Sequence, residues 1–301
     1  MSAAWLAEPE RGSPAAIGLI TWLTRALGRA ATRWLLYPIC LYFFAFSPRS
    51  RRASRAYLAR ALGREPHSSD VLRHYHAFAA TVHDRVFLVR GQYEPFDIVV
   101  NGAGDVDRLL AMGRGCILLG SHLGSFEVLR ALSRFYTHYA VNVVMHEANA
   151  GKTGRALANL APDLRERVID PGRPDAILRV RECLEHGEIV GILGDRPYRG
   201  SRTRPCSFLG ATARFPLGPL LLAGALGAPV VMFFGLYRGG ARYELHLETL
   251  TEGALVSREA RSATAERLLE RYVARLEHHT RQAPYNWFNF YDFWDEDEGA
   301  R

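Results

Sequence analysis

Cysteine is scarce in this chain, and the patterns that build disulfide frameworks or metal sites are missing. The 301 residues include four cysteines, which are scattered and never form a C-x-x-C pair. This excludes a disulfide framework and fits a reducing compartment. Eleven histidines are present, but no H-E-x-x-H motif or Cys/His ligand spacing occurs. We therefore predict no metal site.

A long hydrophobic run is also missing. A helix that crosses a bilayer needs about 20 apolar residues, whereas the aromatic-rich, uncharged stretch at residues 34–46 has thirteen. Before it, residues 17–36 repeat apolar side chains at helical spacing and carry Arg25, Arg29 and Arg33 on another face. No small-residue cleavage site follows, so a signal peptide fits poorly. We predict an interfacial, monotopic anchor, while a helix docked on the protein's own core and a kinked single span stay open.

Negative charge is scarce at the N-terminal end. Residues 1–60 contain nine arginines and two glutamates, which accounts for the whole net charge of +7. A protein that binds nucleic acid usually spreads basic residues over its folded domain. Charge confined to one end, beside the most apolar part, instead predicts contact with anionic membrane lipids and no nucleic-acid partner.

Short apolar runs alternate with helical patterns along the rest of the chain, which is typical of α/β proteins. Strands are predicted at residues 98–100, 116–119, 141–145, 189–193, 230–234 and 243–247. Helices are predicted at residues 53–62, 71–89, 105–112, 174–186, 217–226 and 263–279. We expect an α/β fold with a mainly parallel mixed sheet covered by helices. An anchor region over residues 1–60 would precede one catalytic domain over residues 61–301.

A histidine stands where one of these strands becomes a helix. The apolar run at residues 116–119 leads into Gly-Ser-His-Leu-Gly-Ser-Phe-Glu at residues 120–127. Five helical steps rotate by about 500°, so side chains at i and i+5 of one regular helix point apart. His122 and Glu127 can meet only if the histidine lies in the turn before the helix, a turn that Gly120 and Gly124 suit.

The chemistry that this pair suits is general-base catalysis. A neutral His122 takes a proton from a hydroxyl, and Glu127 on the other ring nitrogen stabilises the imidazolium that forms. Ser125 is the expected N-cap, and backbone N–H groups at residues 124–126 are candidates for an oxyanion site. A G-x-S-x-G elbow is missing, so direct attack without an acyl-enzyme is expected. A turn histidine without chemistry is the alternative.

A second polar cluster follows the strand at residues 189–193. Asp195 and Arg196 come directly after it, and the carboxyl ends of parallel strands meet at one edge of a sheet. Guanidinium groups suit phosphate oxygens. We therefore predict substrate-binding roles for Asp195, Arg196 and Arg204, with Asp195 also orienting Arg196. The glycine turn at Gly210 precedes an apolar helix and is a candidate for the approach of a lipid or pantetheine chain.

Taken in order, these motifs resemble the lysophospholipid acyltransferase superfamily, and within it the bacterial lipid A biosynthesis (lauroyl/myristoyl) acyltransferase branch. The resemblance covers roughly residues 15–290. It implies His122 as base with Glu127, and an acyl thioester as donor, usually on acyl carrier protein, with acyl-CoA as the other possibility and no further cofactor. It also implies a lipid or glycolipid acceptor and a location on the cytoplasmic face of the inner membrane.

Two features leave alternatives open. Lipid A enzymes commonly carry an Arg-Pro…Asn-Pro block, where this chain has His-Glu-Ala-Asn-Ala at residues 146–150, so the acceptor is not fixed. A glycerolipid (lysophosphatidate-type) acyltransferase, a non-catalytic lipid-binding relative and a thioesterase stay as rival readings. The aromatic segment at residues 284–294 is either an interfacial belt or a sheet-edge strand packed on the core.

Overall fold

The N-terminal part of the protein is helical. The computed structural model describes residues 14–111, 113–131, 140–145, 167–198 and 200–294. Its first helices are α1 (Pro14–Thr32), a 3₁₀ turn (Arg33–Leu35), α2 (Leu36–Phe46), α3 (Pro48–Leu62) and α4 (Ser68–Leu88). α1 is kinked at Gly28, whose φ of 79° lies in the left-handed region. None of the helices in these described ranges is long and apolar enough to cross a membrane.

A seven-stranded mixed sheet forms the centre of the molecule. Its strands lie side by side in the order β1 (Asp97–Asn101), β9 (Arg242–Thr251), β8 (Val230–Gly239), β2 (Cys116–Gly120), β5 (Ile189–Leu193), β3 (Val141–Val144) and β4 (Val168–Ile169). Every neighbouring pair is parallel except β8 and β9. The predicted α/β class and mainly parallel sheet are therefore confirmed.

Helices cover both faces of this sheet. The remaining ones are α5 (Ala103–Ala111), α6 (Ala176–Glu185), α7 (Gly218–Leu226) and α8 (Arg261–Gln282). All five residues of β2 are buried, and its side chains alternate between two cores. Ile117 and Leu119 share one core with residues of α7 and α8, whereas Cys116 and Leu118 share the other with residues of α4 and α5. A strand at the centre of a parallel sheet is buried on both faces, so its sequence is an unbroken apolar run.

Two local predictions differ from the structure. The arginine-rich loop is a β-hairpin, β6 (Thr203–Phe208) and β7 (Ala211–Pro216), because alternating buried and exposed residues pair across a two-residue turn. The helix expected after the histidine motif is, over the described residues, a short 3₁₀ turn at Glu127–Ala131. Residues 132–139 and 146–150 lie outside the described residues.

The N-terminal helices are tied to the sheet by a buried carboxylate. Asp84 of α4 is fully buried and lies 2.8 Å from Arg29 Nε of α1. It also lies 3.4 Å from Arg33 and accepts a hydrogen bond from the Tyr243 hydroxyl of β9 at 2.9 Å. Tyr57 of α3 is buried in the core that α8 shares. The division at residue 60 falls inside α3 and stays a prediction.

Candidate active site

The histidine and the aspartate of the two sequence motifs lie at the same edge of the sheet. β2 and β5 are parallel neighbours whose last residues, Gly120 and Leu193, are paired. The N–H of Gly194 donates to the carbonyl of Gly120 at 2.9 Å, which holds the two strand ends together. His122 lies two residues beyond β2, and Asp195 lies two residues beyond β5. Parallel register thus brings together two residues that are far apart in the sequence.

The Asp195 carboxylate is bonded to His122 at two points. Its Oδ1 lies 2.8 Å from the ring Nδ1 of His122, and its Oδ2 accepts the main-chain N–H of His122 at 3.0 Å. The same Oδ2 accepts the indole N–H of Trp287 at 3.1 Å. Asp195 is fully buried, while 29% of the His122 side chain is exposed. Because Nδ1 faces the carboxylate, Nε2 is the ring nitrogen that remains for substrate.

Electrostatics set the protonation states that a base needs. Burial would raise the pKa of Asp195, but the nearby imidazole of His122 and guanidinium of Arg196 outweigh it, and its pKa is about 2. Burial and the charge of Arg196 lower the pKa of His122, against the opposing pull of Asp195. At neutral pH the site therefore holds a charged carboxylate beside a neutral imidazole, which is the state of a general base before reaction.

Glu127 takes a different place from the one predicted. Its carboxylate lies 2.9 Å from Arg85 Nε of α4 and accepts the Ser125 hydroxyl at 3.2 Å. The predicted contact with His122 Nδ1 is made by Asp195 instead, because the neighbouring strand brings a buried carboxylate closer than the 3₁₀ turn does. Ser125 is fully buried and bonds Glu127 rather than capping an α-helix. Glu127 thus belongs to the site through Arg85.

Two of the three backbone amides proposed for an oxyanion site are already used. The N–H of Gly124 donates to the Asn286 carbonyl, and that of Ser125 to the Gly235 carbonyl, both at 2.8 Å. The approach to β8 is so close that a Cβ on Gly124 would lie 1.9 Å from the Gly235 oxygen, and its φ is 77°. Gly124 and Gly235 therefore allow the turn to pack closely on β8. Because the amides of Gly124 and Ser125 already donate to main-chain carbonyls, they are not the oxyanion donors.

Arg196 is engaged by the C-terminal aromatic segment, which is residues 284–294. Its Nε donates to Asn289 Oδ1 at 2.6 Å and its Nη2 to the Phe288 carbonyl at 2.9 Å. Its guanidinium also lies over the Tyr291 ring at 5.6 Å. The structure packs this segment on the core, with Trp287 and Phe293 buried, but it does so as a loop with one isolated bridge at Trp287 and not as the sheet-edge strand of the second alternative. These contacts give Arg196 a role in holding that segment beside the histidine.

The two remaining predicted substrate contacts lie on the hairpin. Arg204 pairs with Glu266 and, at 3.0 Å, with Glu270, both on α8. Gly210 and Leu209 form the hairpin turn, with φ values of 79° and 51°. Two carboxylates neutralise the Arg204 guanidinium, and the positive φ accounts for the glycine. Both residues are therefore explained by folding, and the structure does not bring them to His122 through any contact among the described residues.

Sequence reasoning missed two members of this site. Trp287 contacts Asp195 from the C-terminal segment, and only the unusual number of aromatic residues there pointed to it. Arg85 lies on α4 and contacts Glu127; no sequence signal distinguished it from the other arginines. Among the described residues, no group of three or more His, Cys, Asp or Glu side chains is arranged to hold a metal ion.

Comparison with known proteins identifies a family. Residues 14–295 match the model of the bacterial lipid A biosynthesis acyltransferase family. The match covers nearly the whole chain, including the N-terminal helices, the site described above and the C-terminal aromatic segment. No curated protein matches the chain.

Proposed function

The chain belongs to the bacterial lipid A biosynthesis acyltransferase family and is an acyltransferase, and we propose that His122 is its general base. The proposed reaction moves a fatty acyl group from an acyl thioester, carried by acyl carrier protein, to a hydroxyl of a lipid or glycolipid acceptor. One observation carries this proposal: the Nδ1 of His122 is bonded to the buried, ionised Asp195, which leaves Nε2 for the acceptor hydroxyl.

The proposed reaction needs no covalent enzyme intermediate. His122 Nε2 takes the proton as the acceptor oxygen attacks the thioester carbonyl and forms a tetrahedral intermediate. The C–S bond then breaks, the new ester remains on the acceptor, and the thiolate receives the proton from His122. The products are an acylated lipid and a free thiol. Asp195 stabilises the imidazolium while it exists, and a positioned base of this kind typically contributes about 10²–10⁴-fold.

We assign Glu127 a supporting role in the same site. It holds the Arg85 guanidinium, and the charge of Arg85 contributes to lowering the pKa of His122. A lowered pKa keeps the imidazole neutral and able to accept a proton near pH 7.

The test is acyl transfer by the purified protein from acyl-carrier-protein and acyl-CoA thioesters, with and without glycolipid or lysophosphatidate acceptors. We expect His122→Ala to lose at least a hundredfold in kcat/KM, because the base is gone. His186→Ala, on the exposed end of α6, should leave the rate unchanged. Near wild-type turnover by His122→Ala would overturn the proposal, and thiol release without an acceptor would identify a thioesterase.

We further propose that the N-terminal helices lie on the cytoplasmic surface of the inner membrane. Large apolar side chains along α1, the following 3₁₀ turn and α2 are exposed, and Trp34 of the turn is 75% exposed. The others include Trp22, Leu27, Tyr37, Leu41, Tyr42 and Phe46. Beside them, α3 exposes Arg49, Arg52 and Arg55. Exposed aromatic residues flanked by arginines are typical of interfacial helices on anionic lipid.

Vesicle flotation tests this placement and separates its two components. Replacing Trp34 and Phe46 together by Gln should reduce binding to neutral and anionic vesicles alike, because apolar area is lost. Replacing Arg49 and Arg52 by Gln should reduce binding to anionic vesicles only. Added salt should reduce the binding of the unchanged protein to anionic vesicles in the same way. Leu255→Gln is the control, since Leu255 is 80% exposed outside these helices. Unchanged flotation of both double variants would contradict the proposal.

A further inference from the structure

The fully buried Asp195 carboxylate receives three hydrogen bonds, and one of them comes from a residue that the proposed reaction does not use. We propose that Trp287 is a positioning residue of the acyl transfer: its indole N–H fixes the Asp195 carboxylate and, through it, the His122 imidazole. This inference rests on the proposed role of His122 as base.

The three hydrogen bonds to Asp195 are arranged so that the Trp287 indole fixes the orientation of the carboxylate. Oδ2 accepts both the Trp287 N–H at 3.1 Å and the His122 main-chain N–H at 3.0 Å. Oδ1 is thereby turned toward the His122 ring, 2.8 Å from Nδ1. A buried acceptor that loses one of its donors either stays unsatisfied or rotates to find another. Rotation here would carry Oδ1 away from the imidazole.

Trp287 is itself held rigidly against the histidine turn. It forms an antiparallel bridge with Leu123, and the N–H of the next residue, Phe288, donates to the His122 carbonyl at 2.9 Å. The ring is fully buried, edge-on to Phe208 at 5.0 Å and to Phe293 at 4.6 Å. The indole therefore presents its N–H to Asp195 from a fixed position, which is what a preorganised site requires.

The neighbouring Trp294 is a control that distinguishes the effect of the indole N–H from the effect of ring packing. Trp294 belongs to the same aromatic cluster, with its ring stacked on Phe208 at 6.1 Å and 5.9 Å from Trp287. Its buried indole nitrogen has no hydrogen-bond partner among the described residues. Both tryptophans fill the cluster, but only Trp287 donates into the site. Replacing each by Phe makes the same chemical change in the cluster, but only at position 287 does it remove a hydrogen bond to Asp195.

The experiment compares Trp287→Phe with Trp294→Phe in the full-length protein. We expect Trp287→Phe to lower kcat/KM by about tenfold to a hundredfold, the effect of a lost hydrogen bond to a charged group. Trp294→Phe should stay within about threefold. The pH profile is the readout that a packing defect would not move. The charge and the hydrogen bond of Asp195 raise the pKa of His122, so a carboxylate that turns away from the ring should displace the acid limb of kcat/KM to lower pH.

Equal losses in the two variants, with an unmoved acid limb, would overturn the inference and leave Trp287 as a packing residue. If Trp287→Phe does not fold, β-(3-benzothienyl)alanine introduced at position 287 keeps the bicyclic shape without the N–H, and the same outcomes apply. His122→Ala, measured alongside, tells the two proposals apart. If it retains activity, the base assignment fails, whereas its inactivity beside a normal Trp287→Phe refutes only the role of Trp287.

Discussion

At the scale of single residues, the contacts of Arg196 change what its substitution should do. A free guanidinium would bind phosphate, but Arg196 is bonded to Asn289 and to the Phe288 carbonyl. We therefore expect Arg196→Ala to lower kcat/KM by a similar factor, about tenfold, on phosphorylated and dephosphorylated acceptors. Steady-state kinetics on the two acceptors measures this, with the exposed Arg258→Ala as control. A loss confined to the phosphorylated acceptor would restore Arg196 as a phosphate ligand.

The pair of Arg85 and Glu127 predicts opposite changes in the pH dependence of the reaction. The charge of Arg85 helps to lower the pKa of His122, so Arg85→Gln should move the acid limb of kcat/KM to higher pH. Glu127→Gln removes the carboxylate that neutralises Arg85 and should move the limb to lower pH. Arg90→Gln, at an exposed position beyond α4, should leave it in place. A shift of the acid limb in the same direction in Arg85→Gln and Glu127→Gln would contradict this assignment.

At the scale of elements, the β6–β7 hairpin offers a test of turn chemistry. Gly210 has a φ of 79° and no atom within 4 Å of the place where a Cβ would stand. Gly210→Ala should therefore cost about 1–2 kcal/mol through backbone strain alone. Gly104 of α5 has equally open surroundings without a positive φ, so Gly104→Ala should stabilise by about 0.4–1 kcal/mol.

Urea unfolding measures both glycine variants. Acyl transfer should be unaffected by Gly210→Ala, because the glycine is explained by the turn and not by a passing acyl chain. Retained stability together with a changed acyl-chain preference would instead favour the substrate role that the sequence suggested.

At the scale of the whole molecule, Asp84 joins the N-terminal helices to the sheet. It is fully buried and is bonded to Arg29, Arg33 and Tyr243. Asp84→Ala leaves two largely buried guanidinium groups without their carboxylate, so we expect a loss of about 3 kcal/mol in the free energy of unfolding. The exposed pair of Arg108 and Glu252 is the control, and Glu252→Ala should cost less than about 1 kcal/mol.

The same carboxylate gives the stability a defined pH dependence. Burial favours the neutral acid, but His83, Arg29 and Arg33 outweigh it and lower the pKa of Asp84. A lowered folded-state pKa contributes stability above the unfolded value of about 3.9, and the contribution is lost as the pH falls through the folded-state pKa. The difference between wild type and Asp84→Ala should therefore be constant from neutral pH to about pH 5 and narrow below pH 4. A difference that grows on acidification would contradict this.

Local sequence patterns predict much of the fold. The apolar runs predicted as strands lie in β1, β2, β3, β5, β8 and β9, and the helical periods lie in α3 to α8. Runs such as residues 116–119 are visible because both faces of a central strand are buried. The β6–β7 hairpin was missed because its arginines mask the alternation, and those arginines are accommodated by carboxylates of α8 that no local pattern reveals.

The sequence by itself determined the α/β class, the buried strand that ends just before His122, and the basic, apolar N-terminal region. These depend on the periodicity and composition of neighbouring residues. Only the tertiary structure decided which carboxylate faces the imidazole. Asp195 reaches Nδ1 because β2 and β5 are parallel neighbours that end in register. Trp287 and Arg85 also join the site only through tertiary packing. Contacts between residues far apart in the chain follow from how the elements pack, and the spacing of residues along the sequence does not encode them.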